Sequence, residues 1–292
     1  MMVKTGIYYA YWTKNWKSDF LPFVERVKNL GFEVLEVNAG ALPSMSKADL
    51  QELKVVSEAN DISLSCCVGL TAENDPSSAD PSVRRKGVAF LGEIADSMQL
   101  AGINMLSGII YSSWPGSLEG RGAERSQIID WSINSMKEAI KFAEDKNLQF
   151  NVEVVNRFEQ FIMNTAKEAV EFVEAVDSPN IKILLDSFHI NIEEDSFREA
   201  ILTAGKHLGH FHIGENNRRP PGVGFLPWDE MFEALRDISY NQWIVMEPFL
   251  SPGGEVGRDI SVYRDIMPGA DKDEEARKSC AFIKDKVNDY LR

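Results

Sequence analysis

The chain is poor in the residues on which several functions depend. It has 3 cysteines and 4 histidines in 292 residues, and its 31 Lys and Arg are outnumbered by 45 Asp and Glu, for a formal charge of −14. Two of the cysteines, Cys66 and Cys67, are adjacent. That spacing supplies neither a disulfide framework nor a CxxC metal knuckle, and it fits a reducing, cytoplasmic home. Only His189, His207, His210 and His212 are available, so a cluster of several zinc ions held mostly by imidazoles cannot be assembled. The deficit of cations argues against a nucleic-acid partner and against an anionic membrane, because both need a basic surface to displace counterions. No uncharged apolar run approaches the ~20 residues of a membrane span. The start, MMVKTGIYYAYW, lacks the basic-then-apolar pattern of an export signal. With 44% hydrophobic and 26% charged residues and no low-complexity tract, the composition is that of a globular enzyme acting on a neutral small molecule.

What is present is a regular alternation. Eight short apolar or β-branched runs occur at GIYYA (from Gly6), EVLEVN (Glu33), SLSCCV (Ser63), INMLSGII (Ile103), QFNVEVV (Gln149), IKILLD (Ile181), GHFHIG (Gly209) and WIVMEP (Trp243). Between them lie amphipathic stretches such as FLPFVERVKNLGF, KADLQELKVVSEAND, IDWSINSMKEAIKFAEDK, AKEAVEFVEAV, FREAILTAGKHL and WDEMFEALRDI, with a final helix over roughly 273–291. Strand starts recur every 27 to 46 residues or so, the pattern of a (β/α)8 TIM barrel. A doubly wound open sheet is the alternative, but it expects a glycine fingerprint after the first strand, and GIYYAYW has none. No linker-like tract divides the chain, so residues 1–292 are expected to form one α/β catalytic domain.

In such a barrel the chemistry gathers where strands end. Strand five carries Glu153, strand six ends in Asp186 with His189 three residues on, strand seven ends in His212, and strand eight ends in Glu247. A single strand-end carboxylate is usually a helix cap or a surface ion-pair partner. Several carboxylates at matched depth on adjacent strands would repel one another and be driven toward protonation, a difficulty that a divalent cation removes. Three carboxylates and one imidazole suit Mn²⁺, Co²⁺ or Mg²⁺ better than structural zinc. His210 shares a face with His212 one layer deeper and is expected to be a buried, hydrogen-bonded support. His207 is expected to be solvated.

The segments GIYYAYW, NVEVVNRFE, LLDSFHINIEEDSF, GHFHIGENNRRPPG, VMEPF and GRDISVYRDI resemble the D-tagatose/D-psicose (D-allulose) ketose 3-epimerases of the xylose-isomerase-like barrel superfamily. The likeness runs over nearly the whole chain. It implies a metal, usually manganese or cobalt, held by Glu153, Asp186, His212 and Glu247. It also implies that Glu159, His189 and Arg218 contact sugar oxygens while Tyr8, Trp114 and Phe249 shape an apolar wall. Relatives of this kind form dimers or tetramers, which implies a homo-oligomer.

Inverting C3 of a free ketose requires removing a proton next to a carbonyl and returning one to the opposite face, a task for two groups. Glu153 and Glu247 are the expected pair, acting through a cis-enediolate that a cation would stabilise. An aldose–ketose or hydroxypyruvate-type isomerase on the same barrel is the neighbouring alternative. A barrel endonuclease and an inactive sugar-binding protein are further ones. Trp114 reads either as a sugar platform or as a hydrophobic cap, and Arg219 is expected to form a surface salt bridge.

Overall fold

Each apolar run becomes a strand in the computed structural model, which describes residues 3–291. The strands are β1 (Thr5–Tyr8), β2 (Val34–Asn38), β3 (Ser63–Leu70), β4 (Met105–Ser113), β5 (Gln149–Val154), β6 (Ile181–Asp186), β7 (Leu208–Ile213) and β8 (Ile244–Met246). Every neighbouring pair is parallel, and β8 closes on β1, giving a barrel in sequence order. The helices are α1 (Leu21–Leu30), α2 (Lys47–Ala59), α3 (Pro81–Ala101), α4 (Arg125–Lys146), α5 (Ala166–Val176), α6 (Ser187–Glu193), α7 (Phe197–Ala204), α8 (Trp228–Asp237), α9 (Gly254–Asp259) and α10 (Lys272–Tyr290). The fold is therefore the single-domain (β/α)8 barrel expected from the alternation.

Three helices, α3, α6 and α9, are additional to those named from periodicity. The buried face of α3 includes Gly87, Gly92, Ala95 and Ser97, small residues that leave only a weak apolar stripe. A Cβ at Gly87 would press on the Asn74 carbonyl and one at Gly92 on the Phe142 ring. α6 and α9 are too short to show a 3.6-residue period. Capping residues mark other starts: α2 and α5 each carry a reciprocal capping box, Ser46 with Asp49 and Thr165 with Glu168, of a kind worth about 1 kcal/mol per cap.

Strands covered on both faces should be apolar throughout, and β4 is buried at every position. Yet several buried strand residues are polar. Asn151 of β5 donates to Ser107 of β4 (3.0 Å), and Ser65 of β3 donates to Glu36 of β2 (2.8 Å). Gly108 is needed where β4 bends, because its φ is +114° and a Cβ there would overlap the Val68 carbonyl oxygen. These features hold the strand ends, and the residues on them, in fixed register.

Candidate active site

Along β5, Asn151 and Glu153 lie on one face, and β6 pairs Asp186 with His212 of β7. Glu247 follows β8, its backbone N–H bonded to the Ile213 carbonyl (3.0 Å). Tertiary pairing thus brings one donor atom each from Glu153, Asp186, His212 and Glu247 within 4.8 Å of one another, and all four residues are buried. Asp186 serves two purposes with its two oxygens. Oδ1 caps α6 by accepting the Phe188 N–H (2.8 Å), and Oδ2 accepts from Arg218 (2.9 Å). The ordinary fate of a strand-end carboxylate and the unusual one coexist in a single side chain.

Electrostatics explains what this cluster needs. Burial and the charge of Glu247 push the Glu153 carboxyl well above the usual carboxylate range, and burial with Asp186 raises Glu247 to about 7 despite His212 and Arg218. Burial would also raise Asp186, but Arg218 and the two nearby imidazoles outweigh it and hold that carboxyl low. Arg218 is the counter-cation, its Nη1 also 3.3 Å from Glu247. His212 Nδ1 is fully buried, has no hydrogen-bond partner, and lies 3.7 Å from Glu247 Oε1. A buried, unpartnered imidazole nitrogen facing three crowded carboxylates fits a hard divalent cation, which would take the place of the proton on that nitrogen.

Above the cluster opens a cavity of about 580 Å³ lined by Glu153 and Glu247 together with Tyr8, Trp114, Glu159, His189, Arg218 and Phe249. All six side chains expected to touch a sugar therefore face one space. Tyr8 is the last residue of β1 and meets the Phe249 ring edge-on at 6.3 Å. Trp114 follows β4 and donates its indole N–H to Glu159 Oε2 (3.0 Å). It thereby combines an apolar wall with a polar tether. Burial would raise Glu159, but His189, Arg218 and the hydrogen bonds from Trp114 and Asn156 keep its carboxyl low. His189 sits in α6, and its Nδ1 accepts the Asn156 backbone N–H (3.2 Å). Burial and Arg218 lower its pKa to about 4, so the ring is neutral, and its Nε2 lies 3.8 Å from Glu153 Oε1 and 3.4 Å from Arg218 Nη2.

The loop after β7 shows why Arg218 points inward. Glu215 is completely buried, and its Oε1 accepts from Gly222 N (2.7 Å), Val223 N (3.1 Å) and Trp228 Nε1 (3.3 Å). Glu215 thus organises the loop rather than joining the cluster. Arg218 adopts a left-handed φ of +63° and stacks its guanidinium on Phe188 at 3.9 Å. Arg219 departs from expectation: it makes no ion pair among the described residues, and its Nε is buried without a partner. Arg219 as a whole is half-buried. His207 also departs, being half-buried 3.4 Å from Glu174 rather than freely solvated.

Several residues at or beneath the site lie outside the strand-end pattern of the sequence. Glu36 of β2 is fully buried and accepts from His212 Nε2 (2.6 Å) and His210 Nε2 (2.9 Å), which gives His210 the supporting place expected of it. Burial would raise Glu36, yet the two imidazoles outweigh it and hold the carboxyl far below the usual range. His212 in turn overcomes its own burial through Glu36 and Glu247 and rises to about 10. A Glu flanked by apolar residues in VLEV of β2 is the one sequence clue to Glu36. Trp16, in the loop after β1, lines the cavity and meets the Trp114 and Phe249 rings edge-on at 6.3 Å each. Asn156 ties His189 to Glu159, its Nδ2 2.8 Å from Glu159 Oε1. Cys67 also lines the cavity, and burial followed by the charge of Glu153 pushes its thiol up, leaving it unionised.

Known proteins share this arrangement of sequence and fold. Residues 24–286 match the model of the xylose isomerase-like TIM barrel family. The chain is 44% identical over 289 residues to the D-psicose 3-epimerase of Ruminiclostridium cellulolyticum, covering 96% of each chain. It is 41% identical to the D-psicose 3-epimerase of Agrobacterium fabrum, over 96% of this chain and 98% of that one. The crystal structure of D-psicose 3-epimerase with D-tagatose from Clostridium cellulolyticum superposes with a TM-score of 0.95 at 42% identity, over 99% of this chain and 100% of that chain. The chain belongs to the xylose isomerase-like TIM barrel family and, within it, to the carbohydrate epimerases represented by the D-psicose 3-epimerases.

Proposed function

We propose that residues 1–292 form one catalytic domain that epimerises free ketoses at C3 with the help of a divalent cation. The observation that carries this reading is the facing pair Glu153 and Glu247, each with an oxygen within 4.8 Å of the other's at the floor of a sugar-sized cavity. The names of the relatives point the same way. D-fructose, D-psicose, D-tagatose and L-ribulose are the ketoses to try.

Glu153, Asp186, His212 and Glu247 would hold the cation, with Mn²⁺ first and Co²⁺ or Mg²⁺ as substitutes, since the donor set is mostly hard oxygen. When bound, it would polarise the C2 carbonyl and favour negative charge on its oxygen. The chain's own residues supply the rest. With C3 between them, one glutamate removes the C3 proton to leave an enediolate, and the other, protonated, returns a proton to the opposite face. Reversal exchanges the two roles. Burial raises both carboxyls, helped by the charge of Glu247 at Glu153 and by that of Asp186 at Glu247, which suits a pair that must each hold and release a proton. The neutral His189 Nε2–H and the Arg218 guanidinium would donate to substrate oxygens, and Glu159 would accept from a hydroxyl. Tyr8, Trp114 and Phe249 would fix the carbon chain against a dry wall.

The test is incubation with Mn²⁺ and each ketose in D₂O. Deuterium at C3 of a new ketose is the expected result. Label at C1 or C2 with formation of an aldose would replace this reading by the isomerase alternative. A homodimer or homotetramer is the proposed assembly, supported by the exposed rings of Phe158, Phe225 and Tyr263 and checked by light scattering. A reducing, cytoplasmic setting is consistent with three free cysteines, and no helix of the described residues is long and apolar enough to cross a membrane.

A further inference from the structure

Three polar side chains lie beneath the proposed cation site and take no part in the proposed proton transfers: Glu36, His210 and Ser65. Glu36 and His210 are completely buried. Glu36 reaches from β2 to β7, where Oε1 meets His212 Nε2 (2.6 Å) and Oε2 meets both His210 Nε2 (2.9 Å) and the Ser65 hydroxyl (2.8 Å). Each oxygen therefore has its own partner, and the carboxylate cannot turn without breaking a bond on the other side.

We propose that Glu36 is a positioning residue for cation binding: by taking the Nε2–H of His212, it makes Nδ1 the nitrogen open to a cation and aims it at Glu153, Asp186 and Glu247. This inference rests on the reading of those four residues as the cation site. A carboxylate only accepts hydrogen bonds, so an imidazole facing it must donate from Nε2; the only proton a cation would then have to displace from His212 is the one on Nδ1, whose lone pair it would meet. The buried, unpartnered Nδ1 of His212, 3.7 Å from Glu247 Oε1, is the atom so exposed. His210 and Ser65 hold the second oxygen and so fix the plane of the first. Cys67 also brings a donor atom within 4.8 Å of Glu36 and His212. Because both Glu36 oxygens are already engaged by donors, the trio acts as an orienting support rather than as a second cation position.

Glu36→Gln keeps the size but offers one acceptor and one donor. An amide N–H turned toward either imidazole demands a lone pair at that ring's Nε2, which for His212 is the wrong tautomer. Mn²⁺ titration of the purified full-length protein, followed by the EPR signal of the free ion and referred to the folded fraction of each metal-free protein, should show about 10–100-fold weaker binding in Glu36→Gln. Independently, ¹⁵N NMR of the Mg²⁺-loaded wild type should show the His212 proton on Nε2 and none on Nδ1, a measurement that does not depend on the variant folding. Equal Mn²⁺ affinity in folded Glu36→Gln, or a His212 proton on Nδ1, would overturn the inference while leaving the cation site standing. Failure of the wild type to bind Mn²⁺ would overturn both.

Discussion

Strands β1–β4 and their loops bring Tyr8, Trp16, Cys67, Ile109 and Trp114 to the cavity, whereas β5–β8 bring Glu153, Asp186, His212 and Glu247 to its floor. One half of the barrel mouth brings aromatic and aliphatic side chains and no carboxylate to the cavity, and the other is a cluster of ionisable groups compensated by Arg218. The contrast explains the raised carboxyls: both Glu153 and Glu247 are buried, and each faces a neighbouring carboxylate, Glu247 for Glu153 and Asp186 for Glu247. It also divides the labour. Turnover should depend on the charged half, and the fit of a particular ketose on the apolar half.

Removing the cation should have the largest effect. Dialysis against a chelator is expected to abolish C3 exchange, with recovery on adding Mn²⁺. Melting followed with and without metal should show stabilisation of about 2.7 kcal/mol when the free ion is at one hundred times its Kd. Activity that survives complete removal of metal would collapse the distinction between the halves. Next, Glu247→Gln should lower kcat by about 10²–10⁴-fold, read as the rate of deuterium entry at C3, with the protein still folded. A variant as active as wild type would revive the idea of an inactive sugar-binding protein.

The apolar half should respond differently. Asp75 is a buried carboxylate that serves structure there: it accepts from Ser77 N (2.8 Å), Ser77 Oγ (2.6 Å) and Ser113 N (3.1 Å), and pairs with Arg121, fixing the loop that carries Trp114. Asp75→Ala leaves Arg121 without that partner and is expected to cost about 3 kcal/mol in denaturant unfolding, with Mn²⁺ affinity unchanged. A parallel loss of metal binding would show that the halves are coupled. The smallest effect is expected from Trp114→Ala, in which KM should rise about tenfold, as for loss of one aromatic contact, while kcat falls less. A kcat loss as large as that of Glu247→Gln would mean that the Trp114 bond to Glu159 matters to the chemistry itself.

Much of this was legible in the chain because strand ends in a parallel barrel converge. Glu153, Asp186, His212 and Glu247 could be named from the last polar residue of four successive apolar runs, and His210 from its parity with His212. Trp16, Asn156 and Glu36 escaped. Trp16 sits in an irregular loop, and Asn156 acts through its backbone N–H as much as through its side chain. Arg218 and Arg219 are neighbours of the same type, and the expected surface ion pair of Arg219 does not form. Which arginine turns inward is set by a left-handed φ and by the buried Glu215 beneath the loop.

The sequence by itself determined the alternation of strand and helix, hence the closed barrel, and it determined which strands end in charge, because both are written in local period and residue type. Tertiary structure alone decided which of these groups touch. Only closure of β8 on β1 and the register of β5 through β8 place Glu153 within reach of Glu247. Only the span across the barrel lets Glu36 meet two histidines 174 and 176 residues away. Burial, which lifts the Glu153 and Glu247 carboxyls above the usual range, is a property of that closed interior and of no short stretch of chain.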